Sequence, residues 1–158
     1  MEIINIPTAP EDFLELPMHS HVSLFYEKYP PPYDTYESKK HSIIIFRIDT
    51  IQLSYTHDIL DYIKIDFSFK QSFTFKFNSI EVDRSTSYDD IRQIIADGNM
   101  EYMEHVFSEN QLNMAINHWA LFIFDIQEEG TFLYSVAIPF SMDSHRALFF
   151  NDPPKKGR

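Results

Sequence analysis

The chain of 158 residues sets 24 acidic side chains against 13 basic ones, for a formal charge of −11, yet 44% of it is hydrophobic and 16% aromatic. Its 15 Phe and nine Tyr exclude general disorder, because they bury enough surface to offset chain entropy. The charge argues against nucleic acid and anionic membranes as partners, and the absence of cysteine excludes disulfides, thiolate metal sites and a Cys nucleophile together.

The length fits one domain, with three stretches of different character. Residues 1–40 read as an N-terminal strand and a Pro/Tyr-rich arm, 41–150 as the core domain, and 151–158 as a disordered basic tail holding Lys155, Lys156 and Arg158. The opening MEIINIPTAPEDF has neither a charged n-region nor an apolar h-region, and the densest apolar run, 119–124, is far short of the roughly 20 residues a membrane-spanning helix needs. A soluble cytoplasmic protein is the expectation.

Within the arm, His19, His21 and Glu27 share one face if the segment is extended, and two imidazoles with a carboxylate suit a transition metal. The trio resembles the first metal motif of cupins, HxH followed by Glu, with Glu27 one residue too distant, the flanking glycines missing and His145 as a remote further ligand. The plainer reading is two surface histidines beside Pro17. Tyr29-Pro30-Pro31-Pro32-Tyr33 resembles the PPxY ligand of WW domains, which present a preformed polyproline ridge followed by tyrosine; packing of those tyrosines on the domain is the alternative. Glu37-Ser38-Lys39 has the ExK spacing of one nuclease class but lies in a polar loop, and no GxSxG, Walker loop, HExxH or GxGxxG occurs.

Strands are expected at 41–48 and 51–56, joined at Asp49 and Thr50. From Ile63 to Phe77 the odd positions Ile63, Ile65, Phe67, Phe69, Phe73, Phe75 and Phe77 are all apolar. This predicts a hairpin turning at 70–72, with Phe69 opposite Phe73, Phe67 opposite Phe75 and Ile65 opposite Phe77. A bulge is expected at Asn78 and Ser79, where the parity slips. Ser87 and Asp90 form a capping box before a stripe of Ile91, Ile94 and Ile95, and Asp97-Gly98 ends that helix. Met100, Met103, Val106 and Phe107 suggest a second helix, and 108–116 a short third one. Runs 119–127 and 131–139, apolar on both faces around Glu128-Glu129-Gly130, read as a central hairpin.

The expected fold is therefore a single α+β domain: a mainly antiparallel sheet of about six strands, with two or three helices inserted between strands four and five. Three glycines in all argue against a phosphate loop and against barrels that need many tight turns.

The functional expectation follows the charge. Residues 81–109 hold Glu81, Asp83, Asp89, Asp90, Asp97, Glu101, Glu104 and Glu109 against Arg84 and Arg92 alone. Asp89, Asp90, Asp97, Glu101, Glu104 and His105 are the candidate contact set for a basic protein partner, drawn in by electrostatic steering. The concrete form is an immunity or antitoxin-type inhibitor blocking the basic cleft of a toxin such as a nuclease. The alternatives are a metal-dependent or small-ligand enzyme built on His19, His21 and Glu27, and a scaffold recruiting WW domains. No cofactor is expected, catalysis is the weaker reading, and a homo-oligomer through an exposed strand edge is compatible with the pattern.

Overall fold

The computed structural model describes residues 2–141. In chain order the elements are β1 (Ile3–Ile6), α1 (Val22–Lys28), β2 (Asp34–Ser38), β3 (Ile43–Ile48), β4 (Ile51–Thr56), β5 (Ile59–Asp66), β6 (Thr74–Phe77), β7 (Ile80–Val82), α2 (Tyr88–Asp97), β8 (Tyr102–Ser108), β9 (Gln111–Ile116), β10 (Ala120–Gln127) and β11 (Gly130–Ile138). An α+β description holds in outline, but with eleven strands and two helices among the described residues the protein is mostly β.

Tight turns do most of the local organising. β2 to β5 form one antiparallel meander and β8 to β11 another, and the β5–β11 pair joins them into an eight-stranded sheet of order β2-β3-β4-β5-β11-β10-β9-β8. These turns are made almost without glycine. His57-Asp58 and Asn78-Ser79 occupy two-residue hairpin loops with both residues at positive φ, and Asp49, Asn117 and His118 also take the left-handed conformation. Short polar side chains bond to nearby backbone and tolerate this region better than other non-glycine residues, so Asn, Asp, Ser and His supply turns that glycine usually makes. Asn78 and Ser79 thus form a turn where a bulge was expected.

The aromatic run from Ile63 to Phe77 is used between layers instead of within one sheet. β5 lies between β4 and β11, so Ile65 has Ile51 and Val136 as its neighbours, not Phe77. β6 leaves that sheet and pairs parallel with β1 and antiparallel with β7. The two layers then meet through rings: Phe67 lies 5.3 Å from Phe75, and Phe77 lies 4.9 Å from Phe122. The shared parity of these residues therefore marks one buried face on each layer, while Phe69, in the link between them, is 83% exposed.

The second and third expected helices are strands β8 and β9. Met100, Met103, Val106 and Phe107 fall at helical spacing, but Leu112, Met114 and Ile116 alternate, and that period-two signal is the one the structure obeys. In the observed register Tyr102, Glu104 and Val106 sit opposite Ile116, Met114 and Leu112 on the α2 side of the sheet, so Met103 and His105 lie on the other side. The helix at 88–97 forms as expected. Ser87 Oγ accepts from Asp90 N, the Asp90 carboxylate accepts from Ser87 N, both at 3.1 Å, and Ile91, Ile94 and Ile95 are buried. Each isoleucine contributes about 1.5–3 kcal/mol by leaving water. The 119–127 and 131–139 hairpin also forms, as β10 and β11 in the middle of the sheet. Trp119 itself falls in the turn before β10, half-buried against the core.

The main core lies between one face of the large sheet and a cover made of β1, β6, α1 and α2. The first forty residues belong to it, with Ile4, Ile6, Phe13, Leu16, Val22 and Phe25 all buried. Phe25 stacks on Phe46 at 4.0 Å, and Tyr29, Tyr33 and Tyr55 surround that pair. A second, smaller cluster of Ala115, Leu121, Ala137 and Phe140 lies on the opposite face of the sheet. The expected tail at 151–158 and His145 lie outside the described residues.

Candidate protein interface

α2 projects its acidic side chains away from the isoleucine stripe. Asp89, Asp90 and Asp97 are all exposed, and the Gln93 amide donates to Asp97 at 2.8 Å. Asp89 and Asp90 sit in the first turn, where the helix dipole favours an anion, whereas Asp97 sits in the last turn, where the dipole opposes one. The dipole therefore disfavours Asp97 where it stands, and the i,i+4 hydrogen bond from Gln93 is its local support.

The remainder of the expected contact set divides. Glu101 is exposed beyond the helix end, with His118 Nε2 3.9 Å away. Glu104 is engaged: Tyr88 OH donates to it at 2.6 Å, and Arg92 Nη1 lies 4.0 Å from its other oxygen. Arg92 also donates to Tyr88 OH at 2.8 Å, and its guanidinium lies 4.8 Å from the centre of the Tyr102 ring. Partial burial, then the hydrogen bond to Glu104, raise the Tyr88 pKa above the ordinary tyrosine value. His105 points to the other side of the sheet, because neighbours on a strand face opposite ways. The expected second helix had put Glu101, Glu104 and His105 on one ridge, and the strand separates them.

Topology adds acids that spacing along the chain does not group. Ser87 bridges to Phe132 and Leu133 N donates to Thr86 O, which sets the start of α2 beside the start of β11. The tight turn Glu128-Glu129 precedes β11, and Ile126 N donates to Asn110 O, which draws the Glu109-Asn110 turn to the same end. Asp89, Asp90, Glu109, Glu128 and Glu129 thereby crowd one end of the molecule.

The two arginines of residues 81–109 are already paired. Arg84 Nη2 meets Asp125 at 2.8 Å and Nη1 donates to Leu133 O at 3.1 Å, while the Arg84 guanidinium sits over the rings of Tyr134 and Phe69. The Gln127 amide, then Arg84, hold the Asp125 carboxyl below the usual range. Residues 93–141 contain Asp97, Glu101, Glu104, Glu109, Asp125, Glu128 and Glu129 and neither Lys nor Arg.

The other expected sites take structural roles. His21 is the N-cap of α1, its Nδ1 accepting from Ser23 N at 3.1 Å. Glu27 is inside that helix, so the extended geometry that would align His19, His21 and Glu27 is not formed. Among the described residues no group of three or more His, Asp or Glu side chains is placed to hold a metal ion. Tyr29 stacks on Phe25 and donates to Leu14 O at 2.6 Å, and Tyr33 packs edge-on against Phe25 and Phe46. The tyrosine that a WW ligand must project is thus held against the core. His118 is an exposed turn residue. Among the described residues no helix is long and apolar enough to cross a membrane. The chain matches no protein-family model, no curated protein and no solved structure.

Proposed function

We propose that this protein is an acidic binding protein that occupies a basic cleft of another protein, in the manner of an immunity protein or antitoxin directed at a nucleic-acid-cleaving toxin. The observation that carries the reading is the charge of residues 93–141, where seven carboxylates stand without a Lys or Arg in the same stretch and only Asp125 and Glu104 draw an arginine from outside it among the described residues. The two arginines immediately upstream are bound to Asp125 and Glu104. Carboxylates held on a rigid helix and on short hairpin turns imitate the spaced anions of a phosphate backbone at little entropic cost. The surviving contact set is Asp89, Asp90, Asp97 and Glu101, joined by Glu109, Glu128 and Glu129, with Glu104 and His105 at its margins. The compartment that fits this role is the cytoplasm.

The test is capture of the natural partner by wild type and by a variant with Asp89, Asp97 and Glu101 changed to Lys. Wild type is expected to retain a stoichiometric basic protein that is released as salt rises, because screening weakens contacts at the rim. The triple variant is expected to melt at the same temperature and to bind on the order of ten- to a hundredfold more weakly. Equal affinity of the two proteins would sink the assignment.

A further inference from the structure

The two edges of the eight-stranded sheet are defended to different degrees. β2, at one edge, is five residues long, follows three prolines, carries Asp34 and Glu37, and runs into Lys39 and Lys40. Short length, proline and charge are the devices by which sheets keep other strands away. β8, at the other edge, is seven residues long, contains neither proline nor lysine, and has only β9 beside it among the described residues. Its Tyr102, Val106 and Phe107 are exposed, Val106 to 56%. A bulge between Val106 and Ser108 deflects the end of the strand, which leaves residues 102–106, about 17 Å, as a straight run of backbone open on one side.

Charge selects the occupant. A second copy pairing antiparallel across a twofold axis must match residues that lie on the same face. Within the straight run the register centred on Glu104 sets that residue against itself, and like charges directly opposite are destabilising, whereas the register centred on Met103 sets Glu101 against His105, so a second copy is the competing occupant that the test must separate. A cationic strand meets Glu101 and Glu109 at the two ends of the run and Glu104 in its middle, where Arg92 lies 4.0 Å from one Glu104 oxygen, and residues 93–141 add no Lys or Arg.

We propose that β8 is a docking edge, to which a cationic extended segment of the basic partner adds as a ninth strand. Main-chain hydrogen bonds to residues 102–106 supply the attachment, Tyr102, Val106 and Phe107 cover apolar side chains of the added strand, and Glu101 and Glu109 hold its basic ones. This rests on the reading that the partner is basic and adds the mode of binding.

The probe is a short peptide in which lysine alternates with threonine and valine, compared with the same peptide N-methylated throughout its backbone. Methylation removes the ladder donors and keeps the charge. With the full chain, the plain peptide is expected to shift the amide signals of residues 102–106. N-methylation is expected to weaken binding at least about tenfold, and Val106→Lys to do the same at an unchanged melting temperature. Equal binding of the two peptides, or binding that leaves the β8 amides unmoved, overturns the proposal. So does a free protein that sediments as a dimer and becomes monomeric on Val106→Lys, since the edge then belongs to a second copy. If Val106→Lys retains the natural partner while the Asp89, Asp97 and Glu101 reversals lose it, strand addition is wrong and the acidic-inhibitor reading stands.

Discussion

The two meanders of the large sheet have the same plan, four antiparallel strands joined in chain order, and opposite surface character. Residues 34–66 mix Asp34, Glu37, Asp49, Asp58, Asp61 and Asp66 with Lys39, Lys40, Arg47 and Lys64, and close their edge with charge and proline. Residues 102–138 hold Glu104, Glu109, Asp125, Glu128 and Glu129 with no Lys or Arg, and among the described residues leave β8 with a neighbour on one side alone. Both contribute buried rings to one core, Phe46 and Tyr55 from the first and Phe122 and Phe124 from the second. Stability is thus shared between the halves, while charge and an available edge belong to one. A residue's burial says where the scaffold is; sign asymmetry between equivalent halves is the ground on which the partner surface is proposed.

The comparison breaks most readily if the halves do not share one core. Phe46→Ala and Phe124→Ala are each expected to cost about 3–5 kcal/mol, since both side chains are fully buried. Denaturant unfolding should stay a single transition in both variants. A biphasic curve for either would make the meanders separate folding units and dissolve the shared-scaffold half of the argument.

A smaller effect sharpens the charge side. Arg84→Met leaves the half-exposed Asp125 without its cation and removes the stack between Phe69 and Tyr134, with an expected loss of about 1–2 kcal/mol at neutral pH. Because the native state holds the Asp125 pKa below its unfolded value, the stability from this group is complete above about pH 4 and is lost as pH falls through the lower native value. Asp125→Asn should flatten that stretch of the acid-unfolding profile; an unchanged profile would detach Asp125 from acid sensitivity.

Tyr55, in the first meander, tests the opposite limb. Its ring is fully buried and its hydroxyl has no hydrogen-bond partner among the described residues. Burial pushes its pKa far above the ordinary value of 10.0, so its contribution is intact below about pH 10 and fades as pH rises through the native value. Tyr55→Phe removes an unpaired buried polar group. Stability at neutral pH is expected to be unchanged or raised by up to about 1 kcal/mol, with alkaline unfolding displaced upward. Clear destabilisation at pH 7 would show that the hydroxyl is satisfied in solution.

A change of similar size is expected at the cap of α2, the helix that carries Asp89 and Asp90. Ser87→Ala opens the capping box with Asp90 and should cost about 1 kcal/mol by thermal unfolding. If it also weakens partner binding at a temperature well below its melting transition, the orientation of Asp89 and Asp90 matters more than the stability of α2.

The sequence by itself determined what depends on neighbours along the chain. The capped helix at 88–97 has its signal in Ser87, Asp90 and three isoleucines, the β3–β4 and β10–β11 hairpins in apolar runs around short turns, and the need for a core in 15 Phe. Tertiary structure decided what depends on competition between equally apolar partners. Phe75 and Phe77 suit a hairpin with β5 as well as a second layer above it, and β11 wins the place beside β5 because its own two apolar faces can be buried only inside the large sheet. Local spacing likewise offered residues 100–107 as a helix, and pairing with the alternating Leu112, Met114 and Ile116 made them a strand. That outcome separated Glu104 from His105, brought the turns holding Glu109, Glu128 and Glu129 to the end of the sheet where α2 starts, and left an edge. A surface is a property of which distant segments become neighbours, and pairing free energy, summed over the whole sheet, makes that choice after local propensity has been spent.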